Sequence, residues 1–212
     1  ADDAVSDPTP LGFAFTLTDA PSSENQVSSN GFVTFEPNSD HGCCLGELLP
    51  RSSPDQPSGL IAIWWEDLDP SAGGAISVGS TGTEPDRTFV VEFDSVPHWG
   101  DATTVSAQLH LHEDGAIELH YLSATDDTAF GQDPAGATVA GAEDPSGSFG
   151  AAWHNQRYDI AAIVNAGVSI RRVRASEVDV DGDGSLACAD CAEDDPSRYL
   201  GAPEACNAID DD

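Results

Sequence analysis

The residues in this chain best placed to do chemistry are Asp179-Val180-Asp181-Gly182-Asp183-Gly184-Ser185-Leu186-Ala187-Cys188-Ala189-Asp190. Carboxylates fall at positions 1, 3, 5 and 12 of this run, glycine at 6 and an apolar residue at 8. This is the spacing with which an acidic loop wraps one hard cation. Asp179, Asp181, Asp183 and Asp190 are the candidate side-chain ligands, and Ser185 at position 7 offers its backbone carbonyl. Gly184 permits the sharp turn, and Leu186 would anchor the loop to a small core. The ion expected is calcium. Asp190 is shorter than a glutamate and chelates less readily with both oxygens, so the expected affinity is modest, at the ~10⁻⁴ to 10⁻³ M common among extracellular sites. Asp194, Asp195, Asn207, Asp210 and Asp212 are candidates for a second ion.

Such a loop needs something to hold it. Residues 176–212 carry twelve acidic side chains against Arg198 alone. Without an ion this segment should repel itself, so metal binding would supply its folding energy. Three of the chain's five cysteines, Cys188, Cys191 and Cys206, lie here, while Cys43 and Cys44 are adjacent far upstream. All five are disulfide candidates of an oxidising compartment. Zinc is the rival for the Cys188-x-x-Cys191 pair, but the surrounding carboxylates suit a harder ion. Cys43 and Cys44 either bridge each other or pair elsewhere, and an odd count leaves one partner outside the chain.

Composition narrows the partners. The chain has 212 residues and a formal net charge of -31, with no lysine and no methionine. Phosphate would be repelled, which excludes non-specific nucleic-acid binding and argues against anionic lipid surfaces. The absence of lysine excludes Schiff-base chemistry and lysine isopeptide crosslinks within the chain. No apolar run reaches the ~18 residues of a membrane-spanning helix, so no membrane insertion is expected. The start at Ala1-Asp2-Asp3 suits a mature terminus left by signal-peptide removal.

Residues 1–175 are predicted to form a β domain and 176–212 an acidic, cysteine-containing tail. Short strand patterns recur at 11–18, 31–36, 60–66, 76–79, 88–96, 105–112, 117–122, 138–142 and 168–173, with Gly, Pro, Ser and Asp between them. Evenly spaced short strands without a convincing helical period predict an all-β, antiparallel sandwich or barrel, and we take the sandwich. One helical turn is expected within 159–165. A three-residue loop at Glu113-Asp114-Gly115 sets Leu111 opposite Ile117 and Leu109 opposite Leu119, whereas a two-residue loop would set Leu111 against Glu118. The first register places Gln108, His110, His112, Glu118 and His120 together on the other face. Those histidines could bind a transition metal, but a solvent face or a subunit contact is the commoner reason for such a set and is the expectation here.

The run Ile61-Ala62-Ile63-Trp64-Trp65-Glu66-Asp67-Leu68-Asp69 reads as a buried strand entering an acidic corner. Trp64 and Trp65 should point to opposite faces, so at least one is core and the other is a candidate to plug a surface or interface. Glu66, Asp67 and Asp69 lack the spacing of a dedicated calcium loop, and Asp67 and Asp69 are expected to cap turn amides. No nucleophile elbow, phosphate loop, zinc-protease helix or dinucleotide fingerprint is present, so no catalytic residue is assigned. A hydrolase built on some pair of the many carboxylates remains a lesser alternative.

Several segments together resemble a nidogen-like (NIDO-type) extracellular β domain of the bacterial kind. They are Leu11-Gly12-Phe13, Ser29-Asn30-Gly31-Phe32-Val33-Thr34-Phe35, Ile63-Trp64-Trp65-Glu66-Asp67-Leu68-Asp69, Arg87-Thr88-Phe89-Val90-Val91-Glu92-Phe93 and the run from Gln108 to Tyr121. The resemblance spans about residues 11–173 and implies an adhesive or matrix role without catalysis. The Cys43-Cys44 doublet is not part of that pattern. The loop Asp179, Asp181, Asp183, Gly184, Asp190 followed by Gly201-Ala202-Pro203-Glu204-Ala205-Cys206-Asn207-Ala208-Ile209-Asp210-Asp211-Asp212 resembles the MopE-like metal-binding repeat of bacterial surface proteins. In that repeat a cysteine usually follows at once, which would bring the count to six.

The combined expectation is a secreted, calcium-stabilised structural or adhesive protein of a bacterial cell surface or extracellular matrix. Its expected partners are copies of itself or other surface and matrix proteins, and an extracellular fibre is one form this could take. The alternative is a carbohydrate- or protein-binding recognition module of lectin or dockerin type, which an exposed aromatic groove of Trp65, Trp99 or Trp153 would favour.

Overall fold

The computed structural model describes residues 1–17, 20–51, 57–124, 138–148 and 150–154, and the backbone of 168–171. Both candidate ion sites of the tail, Cys188, Cys191 and Cys206, and the helical turn expected at 159–165 lie outside the described residues.

Eleven strands form among the described residues: β1 (Thr9–Thr16), β2 (Pro21–Ser28), β3 (Phe32–Thr34), β4 (Leu60–Trp65), β5 (Ala75–Thr81), β6 (Thr88–Pro97), β7 (Thr104–His112), β8 (Ala116–Ser123), β9 (Val139–Glu143), β10 (Gly150–His154) and β11 (Val168–Arg171). They make a six-stranded sheet of order β1-β2-β3-β4-β9-β10 and a five-stranded sheet of order β11-β8-β7-β6-β5. The described residues contain no helix. The two antiparallel sheets pack face to face, as the strand spacing predicts.

Alternation explains the five-stranded sheet. β7 presents Val105, Ala107, Leu109 and Leu111 inward, and β8 presents Ile117, Leu119 and Tyr121, all buried. Leu109 pairs with Leu119 and Leu111 with Ile117, which is the register of the three-residue loop. Gly115 takes φ +92°, the left-handed turn conformation that favours glycine. From β6, Phe89, Val91 and Phe93 join the same core, and Leu11, Phe13, Phe15, Val33, Ile61 and Ile63 meet them from the opposite sheet. Burying each such side chain contributes roughly 1.5–3 kcal/mol. The Tyr121 hydroxyl crosses between the layers and donates to the Ile63 carbonyl at 2.8 Å.

β4 departs from simple alternation. Ile61 and Ile63 face the inter-sheet core, while Leu60 and Ala62 face the other side. Trp64 nevertheless enters the inter-sheet core and Trp65 the opposite cluster, because the strand bulges between Ala62 and Trp65. The Gly31 carbonyl accepts from both Ile63 N and Trp64 N at 2.9 Å. Gly31 sits at φ +84°, and a Cβ there would lie 1.9 Å from the Trp64 carbonyl oxygen, so only glycine fits opposite the bulge.

The two tryptophans do point to opposite faces, but neither reaches a surface: Trp64 is 0% and Trp65 1% exposed. Residues 38–51 cover the outer side of the six-stranded sheet. The Trp65 indole donates to the Gly42 carbonyl at 2.9 Å, its ring lies 5.2 Å from that of Phe32, and the Arg51 guanidinium stands 5.3 Å from the Trp65 ring centre. Cys43 and Cys44, within this covering segment, are joined to each other by a disulfide. Two strands, β2 and β10, have no counterpart in the sequence expectation. β2 reads Pro-Ser-Ser-Glu-Asn-Gln-Val-Ser and gives the core cluster only Val27. β10 is a sheet edge rich in glycine and alanine. Neither carries an apolar period strong enough to announce a strand.

Candidate functional site

Three groups of titratable side chains stand out among the described residues. The first is the acidic corner at the end of β4, where Glu66, Asp67 and Asp69 fall within four residues. Glu66 turns inward, with Oε1 at 2.7 Å from His98 Nδ1 and Oε2 accepting from the Thr138 hydroxyl at 2.7 Å. Both Glu66 and His98 are fully buried. Asp69 turns outward and accepts from the amides of Ser71 at 2.8 Å and Ala72 at 3.2 Å. Its hydrogen bonds to Ser71 hold its pKa below the ordinary carboxylate value. Asp69 therefore caps turn amides, as expected. Asp67 is buried and gathers with Asp2 and Asp3. Glu66, Asp67 and Asp69 do not converge on one ion.

The second group surrounds Asp3. The buried Asn30 donates its side-chain amide to Asp3 Oδ1 at 3.0 Å and accepts from the Leu68 amide at 3.2 Å. His41 Nδ1 lies 3.1 Å from the same Asp3 oxygen. Burial, reinforced by the charges of Asp69 and Asp3, pushes the Asp2 carboxyl above its ordinary value. This knot ties the N-terminal segment to the end of β4. Neither it nor the Glu66–His98 pair was legible in the sequence, because their members lie 27 to 38 residues apart (Asp3 to Asn30, Asn30 to Leu68) or more, with no period linking them.

The third group is the outer face of the five-stranded sheet. The alternation of β7 and β8 puts Gln108, His110, His112, Glu118 and His120 on this face, with His110 paired across to Glu118 and Gln108 to His120. One ligand atom each from His110, Glu118 and His120 falls within 4.8 Å of the others. The His110 and His120 rings are 4.6 Å apart, and His110 and His112 6.3 Å. Glu118 Oε2 lies 3.2 Å from His120 Nε2 and 3.6 Å from His112 Nε2. The hydrogen bond from His120, helped by the charges of His112 and His120, holds Glu118 below the usual carboxylate range. Burial, reinforced by His120, lowers the His110 pKa and favours the neutral ring. A further set of bonds orients the group: His112 Nδ1 to the Thr88 hydroxyl at 3.1 Å, His110 Nε2 to Gln108 Oε1 at 2.9 Å, and Gln108 to Glu92 at 2.6 Å.

The aromatic groove that would mark a recognition module does not form from its three candidates. Trp65 is buried under residues 38–51. Trp153 packs against the inter-sheet core and donates to the Tyr121 oxygen at 3.3 Å. Trp99 is 49% exposed. A groove of about 470 Å³ beside β5, bordered by Ala4, Val5, Thr9, Val27, Ile76 and Val78, has no acidic side chain in its lining. Among the described residues no helix is long and apolar enough to cross a membrane.

Two antiparallel sheets packed face to face, with Trp64 and Trp65 buried on opposite sides of β4, define an all-β sandwich. The chain belongs to the NIDO-related family, whose model matches residues 1–173. That is an extracellular type of domain and a protein-interaction module. No curated protein and no solved structure matches the chain.

Proposed function

We propose that this is a secreted, calcium-stabilised structural or adhesive protein of a bacterial surface or extracellular matrix. The sandwich is the building block, and the acidic tail is a MopE-like repeat that folds around calcium and disulfides. The protein works by contact, with copies of itself or with other surface and matrix proteins, and a fibre subunit is the limiting form of that role. It carries out no catalysis. The observation that carries the reading is the spacing of Asp179, Asp181, Asp183, Gly184 and Asp190, immediately after a NIDO-related domain.

The physical support is electrostatic. A net charge of -31 keeps copies apart in solution. Calcium held by the tail removes part of that repulsion where copies meet. The recognition-module alternative loses ground because Trp65 and Trp153 are already used in packing.

Electron microscopy and sedimentation velocity of the purified chain in calcium test the assembly. Concentration-dependent oligomers that dissociate in chelator are expected, and monodisperse monomers at every concentration would contradict it. Limited proteolysis tests the tail: chelator should expose 176–212 to cleavage, and Asp181→Ala should do the same with calcium present.

A further inference from the structure

The outer face of the five-stranded sheet holds a second kind of metal chemistry, separate from the tail. We propose that His110, Glu118 and His120, with His112 completing the set, bind one divalent first-row transition ion of the zinc class. The site does not depend on the calcium reading of the tail.

Ligand identity comes first. Imidazole nitrogens with one carboxylate are the donors zinc takes, whereas calcium takes oxygens alone. The net charge of -31 raises the local concentration of cations without choosing among them. The choice is made by the three imidazoles.

Spacing comes second. Bonds of about 2.0–2.1 Å in a tetrahedron place neighbouring donor atoms about 3.3–3.4 Å apart. Glu118 Oε2 lies 3.2 Å from His120 Nε2 and 3.6 Å from His112 Nε2, on either side of that edge length. The looser set of His110, Glu118 and His120 already lies within 4.8 Å. The His120 side chain is half exposed and is already drawn to Glu118, the carboxylate at the centre of the set.

A loosely held nitrogen comes third. His112 Nε2 is shielded from solvent, and its ion-pair partner Glu118 Oε2 lies at 3.6 Å, beyond ordinary hydrogen-bond distance. Its other nitrogen is held by the Thr88 hydroxyl at 3.1 Å. Ligating histidines commonly have this pattern, one nitrogen fixed by a neighbouring group and the other pointing at the ion. The strands themselves are rigid: each side chain stands on paired backbone whose opposite face is the core. The four ligands come from adjacent strands, so the site is set as soon as the hairpin forms.

The test uses the full chain with calcium in large excess, so that the tail and the acidic surface are already occupied. Cobalt(II) serves as the spectroscopic probe and zinc as its competitor. We expect one cobalt per chain with the intense visible absorption of tetrahedral coordination, displaced by zinc. H110Q/H120Q should abolish that band while leaving the β-sheet circular dichroism unchanged, and D181A should keep it. T88V should weaken binding by roughly 10–100-fold, as loss of a supporting bond does elsewhere. Cobalt and zinc binding that excess calcium suppresses completely would overturn the proposal. So would an affinity in H110Q/H120Q equal to that of the parent.

Discussion

The two sheets share one core but treat their outer faces in opposite ways. On the six-stranded sheet, Phe32, Leu60, Ala62, Trp65 and Val139 form a second apolar cluster, roofed by residues 38–51. On the five-stranded sheet the outer positions of β7 and β8 are Gln108, His110, His112, Glu118 and His120, with no such roof of apolar side chains among the described residues. The difference follows from pattern. β4 reads Leu-Ile-Ala-Ile-Trp-Trp, apolar on both faces, and a strand of that kind must be covered twice. β7 and β8 alternate and need covering once. One outer face is therefore covered by apolar packing, and the other carries polar and titratable side chains.

The comparison can be broken most sharply by truncating one side chain on each outer face. Trp65→Ala empties the roofed cluster and should cost about 3–5 kcal/mol, as for other buried aromatics. His112→Ala, on the polar face and without added metal, should stay within about 0.5 kcal/mol. Urea denaturation of the two variants measures both. Similar losses would mean that the two faces are not different in kind.

Removing a charge gives the next largest effect. Arg51 is 7% exposed, and the roof is pinned where its Nε lies 3.4 Å from Glu143 Oε1 and its amide donates to Oε2 at 2.8 Å. Arg51→Met keeps the stem over Trp65 but leaves Glu143 buried without its cation, at a cost of about 3 kcal/mol. Burial already raises the Glu143 pKa despite Arg51. A carboxyl whose folded pKa is raised contributes stability that is present below its unfolded pKa and lost as pH rises through the folded value. The deficit of Arg51→Met should therefore grow from acid toward neutral pH, and denaturation across that range would show it.

Gly31→Ala attacks the bulge that lets both tryptophans be buried. The left-handed backbone alone costs about 1–2 kcal/mol for a residue with a Cβ, and the contact with the Trp64 carbonyl adds to it. A fluorescence change from Trp64 or Trp65 should accompany the loss.

The smallest effect is the mirror of Glu143. Glu118 on the polar face is held below the ordinary carboxylate range by His120. Its contribution is present above the unfolded carboxylate pKa and lost as pH falls through the lowered value. Carboxyl NMR titration should find Glu143 above and Glu118 below the ordinary glutamate value of about 4.3. The reverse order would undo the assignment of covered and open faces.

Much of this was legible in the sequence, and the limits have physical causes. The β7–β8 register could be derived, because a slip by one residue would carry Leu109, Leu111, Ile117 and Leu119 to the wrong side. The all-β sandwich followed from strand spacing. Trp65 misled, because alternation says which side a residue faces but not whether a distant loop covers that side. The cover comes from residues 38–51, whose sequence is mostly polar and turn-forming and names no destination. β2 escaped because its backbone pairing with β1 and β3, rather than an apolar stripe, makes it a strand. The polar face of the hairpin was readable as a set of residues. Its distances were not, since spacing along a strand does not say how far a ring has turned.

On the reading proposed above, the tail is held by an ion rather than by a core of its own. Calorimetric titration of the full chain with calcium, in parallel with Asp181→Ala, tests that most directly. The account predicts a calcium site in the parent with a dissociation constant of about 10⁻⁴ to 10⁻³ M, lost in Asp181→Ala. At 10 mM calcium such a site stabilises the liganded state by about 1.4–2.7 kcal/mol. An isotherm unchanged by Asp181→Ala would contradict the claim that calcium orders this segment.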